Sequence, residues 1–151
     1  PNTLLVTAMA IVEDATKCVT MDLKRPGAGL YLAAPAEDTL AGRIAAHRAV
    51  HALIAAGKVH AAHDVSDGGW LAAVAEMCIG SGLGAERTDP AASFDQLVAS
   101  NVLELPEGAT PPARLSLRKL GIVTREPTLK LPGEAVSVQQ LTDAWTSPLA
   151  W

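Results

Sequence analysis

The stretch Ala62-His63-Asp64-Val65-Ser66-Asp67-Gly68-Gly69 joins a short apolar run, residues 59–62, to an apolar-periodic segment, residues 71–79. The run predicts a buried strand, and the periodic segment predicts a helix. Ser66 stands at the expected N-cap position, and Asp67 follows in the first turn, facing the positive end of the helix dipole. The stretch therefore predicts a strand–turn–helix unit.

The two glycines in this turn leave two interpretations open. Gly68 and Gly69 are poor helix residues, each costing roughly 1 kcal/mol against Ala. They fit either a plain helix cap or a helix N-terminus that a ligand approaches closely. Asp64 and Asp67 would repel a bare phosphate, so a phosphate ligand is expected to arrive with Mg²⁺, which prefers carboxylate oxygens.

Composition limits the class of protein. The chain has 151 residues, of which 49% are hydrophobic and 3% aromatic, so we expect a single domain over residues 1–151 with a core of small aliphatic side chains. The net charge of −4 argues against nucleic acid or an anionic membrane as the main partner. Cys18 and Cys78 form neither a metal motif nor a disulfide framework, which favours the cytoplasm.

No targeting or membrane segment is expected. No apolar run reaches the roughly 18 residues that a membrane helix needs, and Pro1-Asn2-Thr3 lacks the basic start of a signal peptide. The first residues read like the interior of a longer protein. We therefore expect a fragment of a larger chain.

The remaining patterns predict a mixture of strands and helices. Strands are expected at residues 4–12, buried on both faces, and at 17–23, 30–33, 96–105, 121–125 and 128–131, the last two pairing around Glu126-Pro127. One or two helical turns are expected at residues 114–120, a flexible exit at 80–84, and a helix from Ser137 to Trp145 with Gln140 completing a capping box. Because strands and helices mix without regular βαβ alternation, the predicted class is α+β with a mixed sheet.

The clearest helix covers residues 37–57, with Gly57 as the candidate for the C′ position just past the C-terminal cap. Its apolar positions fall on one side at helical spacing; they are Leu40, Ile44, Val50, Leu53 and Ile54. His47 and His51, four residues apart, have the spacing of metal ligands. The pattern favours two partly buried, hydrogen-bonded histidines over a metal site, because no acidic third ligand lies nearby in the sequence.

A long ordered string of motifs carries a family resemblance. Val59 to Gly69, followed by Ala75-Glu76-Met77, resembles the C-terminal signature of the phosphoribosylformylglycinamidine synthases, also called formylglycinamide ribonucleotide amidotransferases. The resemblance extends along nearly the whole chain; it includes Leu4-Leu5-Val6-Thr7-Ala8-Met9-Ala10, Val19-Thr20-Met21-Asp22-Leu23-Lys24, Leu120-Gly121-Ile122-Val123-Thr124 and Leu141-Thr142-Asp143-Ala144-Trp145.

The resemblance implies a fold and a reaction. It implies the partly ferredoxin-like C-terminal domain of the aminoimidazole ribonucleotide (AIR) synthase-related family. It also implies an ATP- and Mg²⁺-dependent reaction of purine biosynthesis, in which the amide of formylglycinamide ribonucleotide is converted to an amidine with glutamine-derived ammonia. The implied partners are the N-terminal domains of the same synthase, a glutaminase domain or subunit, and the ribonucleotide substrate.

Carried over by residue, the resemblance implies a limited site. Asp64 would contact the nucleotide, and Ser66, Asp67, Gly68 and Gly69 would shape the turn beside it. Asp95, in Phe94-Asp95-Gln96-Leu97, would bind Mg²⁺, whereas Leu97 stands where the family has a substrate-contacting serine. No catalytic residue is expected in this chain.

Three functional hypotheses remain. The chain is a domain that completes one wall of a shared ATP–Mg²⁺ site, a degenerate structural or interface domain of the same synthase with no ligand site, or an independent metal-binding protein that uses its histidines. The motif at residues 63–69 favours the first hypothesis, and Leu97 favours the second.

Overall fold

A computed structural model describes residues 4–88 and 99–149. These residues form one seven-stranded sheet and three α-helices, which confirms the predicted α+β class. In chain order the elements are β1 (Gly29–Pro35), α1 (Leu40–Ala55), β2 (Ala61–Asp64), α2 (Gly69–Ser81), β3 (Gly84–Arg87), β4 (Asn101–Leu105), β5 (Leu115–Thr124), β6 (Thr128–Leu131), β7 (Glu134–Ser137) and α3 (Val138–Thr146).

The sheet has the strand order β2-β4-β1-β5-β3-β6-β7. Neighbouring strands are antiparallel except β3 and β6, which are parallel and pair Ala85 with Leu129. The predicted hairpin of residues 121–125 with 128–131 is therefore wrong. Both segments are extended, but β6 pairs with β3 and β7 instead of with β5.

Helices cover both faces of the sheet, and the sheet separates the core into two clusters. On one face, Trp70 and Met77 of α2 pack with Leu30, and α3 adds Val138 to the same cluster. On the other face, α1 packs against the sheet through a second cluster, which includes Tyr31, Ala46, Val50, Leu103 and Leu105. The residues between β2 and α2 lie at one edge of the sheet because β2 is an edge strand.

The packing face of α1 differs from the predicted one. Ala46 and Val50 are buried, whereas Leu40 and Ile44 are 75% and 44% exposed. Val50 is buried as predicted, and Leu53 and Ile54 are partly buried against the second cluster, so the predicted apolar side is correct in the second half of the helix and wrong at its start. The helix begins at Leu40, three residues later than predicted, because Thr39 is its N-cap: the Thr39 hydroxyl accepts a hydrogen bond from the Gly42 N–H at 3.0 Å.

Residues 4–28, the described part of the chain before β1, contain no strand. Residues 4–12 are irregular and exposed, and no described residue buries their apolar side chains, so the prediction of a doubly buried strand is wrong. Residues 15–17 form a short 3₁₀-helix capped by Asp14, and residues 18–23 are irregular. The predicted second strand reduces to one bond, from the Ala62 N–H to the Thr20 carbonyl at 3.2 Å.

The structure also differs from the predictions for residues 114–120 and 80–84. Residues 114–120 are not helical, because Leu115–Thr124 is one continuous strand in the middle of the sheet. The predicted flexible exit at residues 80–84 is an ordered turn: α2 continues to Ser81, and Gly82 ends it in the left-handed conformation. The capping box of α3 is confirmed, with the Ser137 hydroxyl and the Gln140 side chain each bonding the other residue's backbone N–H.

Candidate functional site

The candidate site is the turn that leaves the edge strand β2 at Asp64 and enters α2 at Gly69. Gly68 has a φ of +88° and Gly69 a φ of +71°, so the chain reverses through two left-handed residues. Gly68 is the N-cap and provides no side-chain hydrogen bond. Ser66 is therefore not the cap, and Asp67 precedes the helix instead of lying in its first turn.

This backbone gives both glycines a structural reason, since side chains are rarely accommodated at positive φ. A Cβ on Gly68 would also lie 2.7 Å from the Cβ of Ala72. The glycines alone thus no longer argue for a ligand. The evidence for a site has to come from the polar side chains around them.

We expect Gly68→Ala to lower the free energy of unfolding by about 2–3 kcal/mol, since a left-handed alanine costs roughly 1–2 kcal/mol before the close contact is counted. Gly108→Ala is the matched control, because Gly108 has a φ of +75° and open space around its Cβ position. Urea denaturation of both variants measures the difference. Equal losses would show that the contact with Ala72 relaxes without cost.

Four side chains form a hydrogen-bonded chain beside the turn. The Ser66 hydroxyl donates to Asp64 Oδ2 at 2.9 Å, and Asp64 Oδ1 lies 3.2 Å from His63 Nδ1. On its other side, His63 Nε2 lies 2.7 Å from Glu76 Oε2, which comes from α2. The chain Ser66–Asp64–His63–Glu76 therefore ties the end of β2 to the middle of α2.

The exposure of these side chains increases from His63 outwards. The side chain of His63 is 14% exposed, that of Glu76 38% and that of Asp64 70%. The Ser66 hydrogen bond, with smaller effects of the backbone and of His63, holds the pKa of Asp64 below its ordinary value. Asp64 is thus an ionised, solvent-facing carboxylate whose two oxygens both have partners.

A buried hydroxyl lies next to this edge. Ser100 is 3% exposed, and its Oγ has no hydrogen-bond partner in the described structure. Its carbonyl accepts the Val65 N–H at 3.0 Å, and the following residue, Asn101, pairs with Asp64 in the sheet. Polar residues thus lie at the start of β4 next to Asp64, as well as at the end of β2.

Asp95 and Leu97, for which Mg²⁺ binding and a missing substrate contact were expected, are outside the described residues. Asp67 is in the same turn as Ser66, so the structure brings together Asp64, Ser66, Asp67, Gly68 and Gly69 in one turn. Their role as a nucleotide-facing edge stays a prediction.

His47 and His51 are exposed on α1, which contradicts the expectation that they are partly buried. They lie on the same helix as the exposed Leu40 and Ile44, away from the packed positions Ala46 and Val50. No group of three or more His, Cys, Asp or Glu side chains that could hold a metal ion occurs among residues 4–88 and 99–149. Within these residues, the His47–His51 pair has no third ligand for a tight metal site.

We expect no submicromolar Zn²⁺ affinity at His47 and His51, because two imidazoles fill only half of a tetrahedral shell. Calorimetric titration of the wild type, with His47→Ala and His60→Ala variants for comparison, tests this. Submicromolar binding that His47→Ala abolishes and His60→Ala preserves would contradict the expectation.

Sequence reasoning missed the roles of His63 and Glu76. A signal was present: Glu76 is a charged residue in a helix whose neighbouring positions Val74, Met77 and Cys78 are buried. A third missed residue is Glu104, a carboxylate in the apolar strand β4 that is 0% exposed. It accepts the backbone N–H groups of Lys24 at 2.8 Å and Arg25 at 2.7 Å.

The comparisons with known proteins place this geometry in a family. A family model described as "AIR synthase related protein, C-terminal domain" matches residues 25–105, which is more than half of the chain. The chain belongs to this family. The match begins just before β1 and ends with β4, so this AIR synthase-related domain carries its candidate site within the matched part.

Known relatives carry consistent names. A Drosophila melanogaster phosphoribosylformylglycinamidine synthase is 32% identical over 130 residues, a match that covers 65% of this chain and 10% of that protein. A phosphoribosylformylglycinamidine synthase subunit PurL from Mesorhizobium japonicum is 64% identical over 36 residues, or 24% of this chain and 5% of the relative. The chain thus spans a tenth or less of these curated relatives.

Solved structures agree on the fold. T. maritima PurL complexed with ATP superposes with a TM-score of 0.65 at 19% identity, over 84% of this chain and 27% of that one. The structure of PurLQS from Thermotoga maritima gives a TM-score of 0.64 at 19% identity, over 84% and 28%. At this identity the likeness establishes the fold of the AIR synthase-related domain and nothing about its ligands.

Proposed function

We propose that this chain is the C-terminal domain of a phosphoribosylformylglycinamidine synthase and supplies one wall of an ATP–Mg²⁺ site shared with other domains. The observation that carries the proposal is the Asp64 carboxylate, exposed at the sheet edge with both oxygens held by neighbours. The names of the curated relatives support the reaction class. The existence of T. maritima PurL structures with ATP, with ADP and with AMPPCP supports a nucleotide as the ligand.

In the proposed reaction, ATP phosphorylates the amide oxygen of formylglycinamide ribonucleotide, and ammonia then displaces the phosphate to give the amidine. Phosphoryl transfer of this kind depends on positioning and on neutralising charge. Asp64 would contact the nucleotide, and its negative charge would favour the cation that accompanies it. Asp95 is the proposed direct Mg²⁺ ligand of this chain.

The proposed partners follow from the same assignment. The exposed apolar side chains of residues 4–12 have no partner among the described residues; they include Leu5, Met9 and Ile11. An exposed apolar run of this kind is typical of a surface that contacts another domain. We propose that this surface belongs to preceding domains of the synthase, with a glutaminase domain or subunit supplying ammonia.

The proposed location is the cytoplasm, where purine nucleotides are made. No helix in the described part of the chain is long and apolar enough to cross a membrane. The buried thiol of Cys78 and the exposed thiol of Cys18 are both free, which fits a reducing compartment.

The second candidate function is a structural or interface domain with no ligand of its own. Two observations favour it: the left-handed backbone accounts for Gly68 and Gly69 without a ligand, and Leu97 replaces an expected serine. Under this alternative, the hydrogen-bonded chain at Asp64 only joins β2 to α2.

The test of the proposal compares the full-length protein with residues 1–151 alone. With ATP, formylglycinamide ribonucleotide and either glutamine or ammonia, the full-length protein is expected to form ADP and the isolated domain none. No turnover by the full-length protein would overturn the proposed activity. Comparable turnover by the isolated domain would overturn its role as one wall of a shared site.

A further inference from the structure

The Asp64 carboxylate is unusually constrained for an exposed group. Its side chain is 70% exposed, yet both oxygens have partners, His63 on one side and Ser66 on the other. An exposed aspartate ordinarily samples several rotamers, and a ligand that needs one of them bears the ordering cost. Fixing the carboxylate in advance removes that cost.

His63 is itself held from behind. Its side chain lies between β2 and α2 and is 14% exposed. Its Nε2 lies 2.7 Å from Glu76 Oε2, which is the shortest of the three contacts that join Ser66, Asp64, His63 and Glu76. Each ring nitrogen thus faces a carboxylate oxygen. A ring tethered at Nε2 cannot turn without breaking that bond, so Nδ1 stays directed at Asp64.

We propose that Glu76 is a positioning residue of the candidate site, which fixes the orientation of Asp64 through His63. The inference rests on the proposed function, since it assigns Glu76 to the same nucleotide-facing edge. Glu76 comes from α2, 12 positions after Asp64, so the helix sets the direction of a side chain on the neighbouring strand.

Packing alone gives no reason for a glutamate at this position. The residues around it on α2 bury apolar side chains, with Ala73, Val74 and Met77 at 3% exposure or less. The described contact of the Glu76 carboxylate is the one with His63. The residue therefore links the helix to the site instead of filling the core.

A double-mutant cycle in the full-length protein tests this inference, with the KM for ATP as the measured quantity. We expect Glu76→Ala to raise the KM about threefold to tenfold and Asp64→Asn to raise it further. In the Asp64→Asn background, Glu76→Ala should add no further rise, because it acts only through Asp64. Glu76→Gln keeps an oxygen acceptor at the same reach and should restore most of the wild-type KM.

Glu126→Ala is the matched control. It removes the same charge from an exposed glutamate whose partner is Lys130 at 2.6 Å, away from the turn. We expect no change in the KM. A thermal melt of each variant shows whether Glu76→Ala acts by loosening α2 as a whole.

The outcomes separate the inference from the function on which it rests. If Asp64→Asn leaves the KM for ATP unchanged, the proposed role of Asp64 fails and the inference fails with it. If Asp64→Asn raises the KM and Glu76→Ala does not, only the inference is overturned. Equal effects of Glu76→Ala in both backgrounds would also overturn it, because a merely structural residue acts independently of Asp64.

Discussion

Asp64→Asn in the full-length protein is expected to lower ATP-dependent turnover about tenfold to a hundredfold, which corresponds to the roughly 1.5–3 kcal/mol of one hydrogen bond or contact to a charged group. The amide keeps the shape of the carboxylate and one acceptor oxygen. It removes the charge that would attract the cation of an ATP–Mg²⁺ complex. The loss should therefore appear in turnover and not in folding.

The thermal stability of Asp64→Asn is measured on the isolated residues 1–151. An exposed carboxylate contributes little to the free energy of unfolding, so the midpoint of thermal unfolding should change by less than about 2 °C. Asp38→Asn is the control, because Asp38 is an exposed aspartate that pairs with Arg43 far along the chain from the turn. A large loss of stability with unchanged turnover would mean that the motif is structural, and the second candidate function would replace the first.

Glu104→Gln is expected to lower the free energy of unfolding by about 2–4 kcal/mol. The wild-type carboxylate is fully buried, and its two oxygens accept the N–H groups of Lys24 and Arg25. A glutamine has only one oxygen, so its amide group would face one of these two donors. A buried donor left without an acceptor costs roughly 1–3 kcal/mol, and the loss of charge weakens the bond that remains.

The measurement is chemical denaturation with Glu107→Gln as the control. Glu107 lies just after β4, is half exposed and pairs with Lys119, so its replacement should cost less than about 0.5 kcal/mol. Equal effects of the two substitutions would show that the segment before β1 reorganises freely. That result would contradict the view that Glu104 holds the segment against the sheet.

Local chemistry made part of this fold predictable. The capping box at Ser137 and Gln140 identifies the start of α3 because both bonds form within four residues. The helix α1 and the strands β1 and β6 follow from periodicity and from breakers such as Gly57, whereas β2 begins two residues later than the strand predicted at residues 59–62. In these elements, the local structure is determined by adjacent residues.

The failures have a common cause in distant partners. The segment 115–120 alternates too weakly to identify a strand, and it is extended because it lies between β1 and β3 in the sheet. The run at residues 4–12 has strand-like composition, but no described strand pairs with it. Strand formation depends on a neighbour, which the local sequence does not contain.

The candidate site, like the fold, could be predicted only in part from the sequence. The turn at residues 64–69 could be found from its sequence, because carboxylates and paired glycines between a strand and a helix form an unusual combination. The contact from His63 to Glu76 could not, since it spans 13 positions and depends on how α2 lies across the sheet. The left-handed φ of Gly68 also required the backbone.

The order of strands in the sheet has a consequence for synthesis of the protein. Strand β1 lies between β4 and β5, and Gly29 pairs with Leu105 on one side and Ile122 on the other. At a translation rate of roughly 5–20 residues per second, β1 emerges several seconds before either neighbour exists. Until β4 is made, one face of β1 can be shielded only by α1 among the described elements, through Ala46 and Val50. Slowing the ribosome between residues 55 and 100 should therefore increase aggregation of the nascent chain more than slowing it after residue 124.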